Sequence, residues 1–141
     1  MSVHSTVLAF DVGLKRTGLA VAQASSVHAQ PAGTIHVAKG RHDWLKVDQA
    51  IADWQPTMIV LGLVSDTDPA LKKAANRLIS HIQQQHKIAT ALVDETLTTV
   101  NANELLSERD YSPSKRRELR DQVAACLILE TWLRAYNEPN A

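Results

Sequence analysis

Residues 6–23 read TVLAFDVGLKRTGLAVAQ. Val7, Leu8, Ala9 and Phe10 form an unbroken apolar run that ends in Asp11. Such a run suits a strand covered on both faces rather than one with a wet side. Gly13 and Gly18 bracket a tight turn holding Lys15 and Arg16, and Leu19, Ala20, Val21 and Ala22 are apolar again. The stretch predicts an antiparallel hairpin with an acid at the rim where its first strand ends.

The rest of the chain extends that hairpin. Residues 32–37 (AGTIHV) form a third strand, punctuated by Pro31 and Gly40. Residues 42–54 are a helix, with Leu45, Asp48, Ile51 and Ala52 at helical spacing, ended by Pro56. Residues 57–63 (TMIVLGL) are a buried strand. Asp68 caps the next helix, with Pro69 at its first position. Leu71, Ala75, Leu78 and Ile82 then share one face, and the helix runs to about His86. Residues 88–93 (IATALV) form a further strand that runs into Asp94 and Glu95. Thr98 or Thr99 could cap a short helix with Ala102, Leu105 and Leu106. Ser114 and Glu118 then open a last helix that reaches about Tyr136. The order β-β-β-α-β-α-β-α-α predicts an α/β fold: a mixed five-stranded sheet, three antiparallel strands followed by parallel ones on right-handed crossovers, flanked by helices. A length of 141 residues without repeats fits one domain, 1–141.

Composition narrows the class. The chain is 45% hydrophobic, which supports a packed core rather than disorder. Its one cysteine, Cys126, allows no internal disulfide and fits a reducing compartment. No charged leader with an apolar core and no apolar run of membrane-spanning length is present, so a cytoplasmic location without membrane partners is expected. Fifteen basic and fifteen acidic residues give zero net charge, against a dedicated nucleic-acid binder. The basic residues nonetheless cluster at Lys15 and Arg16 and again at Lys115, Arg116, Arg117 and Arg120. The second group sits at a helix start, where positive charge opposes the helix dipole, and this tips it toward a phosphate-binding role.

Three carboxylates stand out. Asp11 alone is as compatible with a turn as with a site, but Gly13 beside it lets phosphate or metal approach the backbone. Glu95 closes a second strand; Asp94 points to the opposite face, so Glu95 is favoured and Asp94 held in reserve. Asp121 shares a helix face with Ala124 and Ala125, small residues that let the helix press close to the sheet. By itself, without the other two acids, Asp121 reads as an exposed partner for Arg117 at i−4. Carboxylates gathered in one place repel unless a cation neutralises them, and an all-oxygen set suits Mg²⁺ or Mn²⁺. Such ions activate water and stabilise the leaving oxygen in phosphodiester cleavage. The histidines show no ligand spacing: His81 and His86, five apart, fall on different faces of an α-helix and read as solvated side chains on the surface. Cys126 and the three tryptophans read as packing residues.

The ordered motifs resemble those of the YqgF (RuvX) family. Residues 8–20 (LAFDVGLKRTGLA) resemble its opening D-x-G-x-x-R-x-G-x-A, residues 59–63 (IVLGL) its central strand, and residues 94–99 (DETLTT) its D-E-R-L-[ST]-[ST] segment. Residues 115–129 resemble its K-x-x-x-x-D-x-x-A-A-x-x-I-L helix. The resemblance implies an RNase H-like fold and a metal-dependent nuclease, with Asp11, Glu95 and Asp121 as catalytic, metal-holding acids. It implies Lys15 and Arg16 as phosphate contacts, with Gly13, Thr98, Lys115, Arg116 and Arg117 completing the substrate-binding set. Pre-16S rRNA is the favoured substrate and branched DNA the alternative, cut by a monomer or a homodimer. Two positions depart from the family: the L-P-x-x-x-D-G loop is Leu63-Val64-Ser65-Asp66-Thr67-Asp68-Pro69 here, and the arginine of D-E-R is Thr96. Two rivals remain: a nucleotide-binding module, which needs a second lobe, and a non-catalytic nucleic-acid binder.

Overall fold

A computed structural model describes residues 5–63, 68–94 and 112–137, with the backbone alone at Asp94 and Arg116. The opening hairpin forms as β1 (Thr6–Val12) and β2 (Arg16–Gln23), paired antiparallel with Asp11 opposite Gly18. β3 (Gln30–Ala38) pairs with β2 and is longer than the predicted 32–37; a register shift at Leu19/Ala20 lies against Gly33, whose φ is 113°.

The sheet then gains a strand that the pattern did not announce. Lys39 and Gly40 both have positive φ, 53° and 73°, as a two-residue hairpin turn requires. The chain therefore doubles back into β4 (Arg41–His42), and the sheet has six strands rather than five. β4 takes His42, the first residue assigned to the next helix, α1 (Trp44–Trp54), whose true N-cap is Asp43, accepting from the Lys46 N–H. β5 (Met58–Leu63), α2 (Pro69–His81) and β6 (Ala89–Asp94) follow. Asp68 caps α2, accepting from the N–H groups of Ala70 and Leu71, with Pro69 first in the helix. α2 does not continue as an α-helix to His86: Ile82–His86 form a π-turn, closed by Lys87 N–H donating to the Ile82 carbonyl at 3.0 Å. The last helix, α3 (Pro113–Asn137), falls where expected; the short helix predicted between residues 98 and 106 lies outside the described residues.

Strand order is β4-β3-β2-β1-β5-β6, with β1, β5 and β6 parallel to one another. Alternation splits the core in two. Leu8, Phe10, Val12, Ile59 and Leu61 face α1 and α2, where Val47, Ile51, Leu71, Leu78 and Ile82 cover them. Val7, Ala9, Ala20, Ala22 and Val60 face α3, which supplies Ala125, Ile128, Leu129 and Leu133. The small side chains on this second face bring α3 close to the sheet. Among the described residues no helix is long and apolar enough to cross a membrane.

Candidate active site

The site lies on the α3 face, at the end of β1. Asp11 pairs with Gly18 on one side and Gly62 on the other. Directly paired residues share a face, so Asp11 stands between two positions that carry no side chain. α3 fills the space above Gly18: a Cβ built there would lie 2.2 Å from the carbonyl oxygen of Asp121 and 2.8 Å from the nitrogen of Gln122. Asp121 is thus seated by its own backbone against the residue paired with Asp11, although 110 positions separate the two acids in the chain. Gln122 reinforces the seating, its Nε2 donating to Thr34 Oγ1 on β3 at 3.0 Å.

Arg16 is two residues before Gly18 on β2 and so points to the same face. Its Nε donates to Asp121 Oδ2 at 2.9 Å, and both side chains are about four-fifths buried. The partner of Asp121 is therefore Arg16, across the fold, and not Arg117 one helical turn away. Burial pushes the Asp121 carboxyl above its ordinary range; the bond to Arg16, the Arg16 charge and Arg120 offset this in part, while Glu118 adds to it. A carboxylate that is costly to keep charged suits a place where a cation is to sit. A guanidinium has five N–H donors, and this bond takes one.

The remaining predicted residues fall into three groups. Lys15 is exposed on the hairpin tip, and Lys115 and Arg117 are exposed on the first turns of α3; Arg116 lies among them in the helix. Lys115 and Arg117 precede Asp121 by about 9 and 6 Å along the helix axis. Gly13 has a structural reason of its own, because a Cβ there would come within 2.4 Å of the Arg16 carbonyl oxygen inside the turn. Glu95 and Thr98, like Thr96, lie outside the described residues. β6, which leads to them, pairs Val93 with Gly62 and Asp94 with Leu63, at the same end of the sheet as Asp11.

Two clusters went unread in the sequence. His42 is buried, sharing a 2.7 Å hydrogen bond with Thr17 Oγ1, and its Nδ1 has no partner; burial lowers its pKa from 6.5 to about 4. The other corrects the reading of two histidines. His81 and His86 do not diverge: each Nε2 lies 2.7 Å from the same oxygen, Asp48 Oδ1. The assumption of a regular α-helix through 86 hid this, and the π-turn removes it.

A mixed sheet with strand order 3-2-1 antiparallel and then two parallel strands, carrying an acid at the end of β1 and another on the closing helix, defines an RNase H-like protein of the nuclease class. Residues 5–135 match the family described as "RuvX: Holliday junction resolvase", and the chain belongs to that family. It is 38% identical over 130 residues to a protein of Legionella pneumophila named "Putative pre-16S rRNA nuclease", covering 89% of this chain and 93% of the relative. A Nitrosococcus oceani protein of the same name is 39% identical over 130 residues, covering 90% and 85%. Among solved structures, the Fowlpox virus Holliday junction resolvase superposes with a TM-score of 0.59 at 11% identity, covering 92% of this chain and 99% of that one. T. thermophilus RuvC bound to a Holliday junction superposes with a TM-score of 0.55 at 12% identity, covering 94% and 95%. At these identities the two structures establish the shared fold.

Proposed function

We propose that the chain is a divalent-metal-dependent nuclease that cleaves phosphodiesters of pre-16S rRNA. The observation that carries the reading is the close contact of the Asp121 backbone with Gly18, the strand partner of Asp11. Two acids from opposite ends of the chain thus belong to neighbouring positions, and Arg16 holds the Asp121 carboxylate by a 2.9 Å bond. The donor set is oxygen only and fits Mg²⁺ or Mn²⁺, with Asp11 and Asp121 as two ligands and Glu95, which follows β6 directly, as the third. The bound ion supplies Lewis-acid activation of the phosphate and of the attacking water.

The chain's own residues do the rest. Asp11 and Asp121 would hold the cation beside the scissile phosphate. Arg16 holds Asp121 in one orientation and turns its remaining N–H donors toward phosphate oxygens. Lys15 on the hairpin tip and Lys115, Arg116 and Arg117 on α3 track the flanking backbone, contacts that position the strand without reading its bases. Gly13 borders the path of the strand, and Thr98 is assigned to substrate binding by the family motif alone. Neutral overall charge with two local basic groups fits a site that concentrates positive charge beside its acids.

The relatives' rRNA name favours RNA, and the family's description supports a second reading, cleavage of branched DNA. Symmetric cutting of a four-way junction needs a two-fold homodimer, whereas trimming an RNA end needs only a monomer. A labelled pre-16S 5′ fragment and a four-way junction, assayed side by side with Mg²⁺ and Mn²⁺, decide between them. Faster cleavage of the RNA by a monomeric enzyme is expected. Junction cleavage alone, with dimer formation, would replace the first reading by the second. Cleavage of neither, with RNA retained in EDTA, would leave a binding protein.

A further inference from the structure

The face of the sheet opposite the carboxylates carries its own group of ligating side chains. Asp48 projects from α1, His81 from the last turn of α2 and His86 from the end of the π-turn. Their three donor atoms lie within 4.8 Å of one another, and each Nε2 is 2.7 Å from Asp48 Oδ1. Residues five apart on an α-helix are rotated by about 140° and would separate. The π-turn, hydrogen-bonded i→i+5, brings the two rings together instead. Trp44 stacks on His81 with centroids 4.4 Å apart and planes 18° from parallel, which fixes the ring that faces Asp48. The group bridges three segments, and Asp48 is 45% exposed, so an ion held there keeps a side open to solvent.

We infer that Asp48, His81 and His86 form a second cation site, distinct in chemistry from the carboxylate centre, that takes a borderline transition ion, Zn²⁺ first. Two imidazoles and a carboxylate are the ligands of a three-coordinate protein site whose fourth position is water. Mg²⁺ favours oxygen ligands and is a poor match. A tetrahedral ion at about 2.0–2.1 Å from each ligand sets the donors roughly 3.3 Å apart. The present 2.7 Å contacts open by about half an ångström to admit it, a side-chain adjustment at the surface. Both rings must turn an Nε2 lone pair to the metal and carry their proton on Nδ1. Binding clips α1 to the end of α2 and to the turn before β6, on the far side of the sheet from Asp11.

The test uses the full chain, stripped of metal by chelation, and titrated with Zn²⁺ against a chromophoric chelator. One equivalent should bind with a dissociation constant of micromolar or below, and saturating Zn²⁺ should raise the melting temperature by roughly 5–10 °C. His81→Gln, His86→Gln and Asp48→Asn should each weaken binding at least tenfold, while Asp11→Asn leaves it unchanged and millimolar Mg²⁺ does not compete. Imidazole nitrogen resonances of the wild-type chain supply a readout that needs no variant: two of the six histidines should shift on adding Zn²⁺. Loss of binding in Asp11→Asn with retention in His81→Gln would assign the ion to the carboxylates and overturn the inference. So would the absence of a saturable equivalent below about 100 µM, or shifts at histidines other than these two.

Discussion

Gly18→Ala is the most incisive substitution the structure offers. The added methyl would lie 2.2 Å from the Asp121 carbonyl oxygen and 2.3 Å from its carbonyl carbon, both backbone atoms that no rotamer change can move aside. Ordinary contact needs about 3.4 Å or more, so α3 must retreat by about 1 Å at Asp121. That retreat loosens Ala125, Ile128 and Leu129 against Ala9, Ala20 and Val60. Overpacking of this kind costs about 2–3 kcal/mol. For a chain of 141 residues that corresponds to a fall in melting temperature of roughly 7–10 °C. The same displacement carries the Asp121 carboxylate away from Asp11, and a misplacement of about 1 Å lowers catalysis by about 10²-fold. Thermal melts by circular dichroism and kcat/KM on a labelled pre-rRNA fragment with Mg²⁺ read the two effects separately. A Gly18→Ala protein with wild-type melting and wild-type turnover would show that α3 does not press on β2 here, and the juxtaposition of Asp11 with Asp121 would go with it.

Three further outcomes follow from the same geometry. Asp11→Asn should abolish Mg²⁺-dependent cleavage and leave the melt nearly unchanged; cleavage at the wild-type rate removes Asp11 from the mechanism. Arg16→Met breaks the bond to Asp121, costing about 1.5–3 kcal/mol for a charge-assisted hydrogen bond, and should lower kcat/KM by about tenfold or more; an unchanged melt and rate would count against a positioning role. Stability should also fall on acidification because of His42. Between pH 6.5 and about 4 the unfolded chain binds a proton that the buried ring refuses. Stability is therefore lost as pH falls through that window and levels off below it, by up to about 3 kcal/mol. His42→Leu should melt with a visibly shallower pH dependence, and a parallel one refutes the assignment.

How much could be read from residues alone varied with the kind of signal. The apolar runs at Val7–Phe10 and Ile59–Leu61 specified β1 and β5 because a buried strand tolerates little else, and Asp68-Pro69 marked the start of α2 by capping chemistry. β4 was missed because it is two residues long and rests on the positive φ of Lys39, a conformation a lysine does not advertise. The alanines that follow Asp121 signal a helix face pressed to the sheet, but helical spacing offers only Arg117, one turn away, as its partner. The real one, Arg16, is a contact across 105 positions that helical spacing cannot reveal. The pairing of His81 with His86 was hidden for a related reason: periodicity arguments presuppose one type of helix, and the chain changes type at Ile82.

That change of type also makes the segment a buffer for chain length. A widened turn holds a residue more than a regular one would, and Ile82 stays buried at its start while Lys87 closes it. Excising one glutamine from residues 83–85 can be absorbed by tightening the coil, so that Ala89 still meets Met58 and every later side chain keeps its sidedness. The same excision inside β6 would turn Val93 away from α3 and invert the edge of the sheet. A shortened version of this protein should therefore fold and cut nucleic acid as before, having given up only the alignment of two imidazoles.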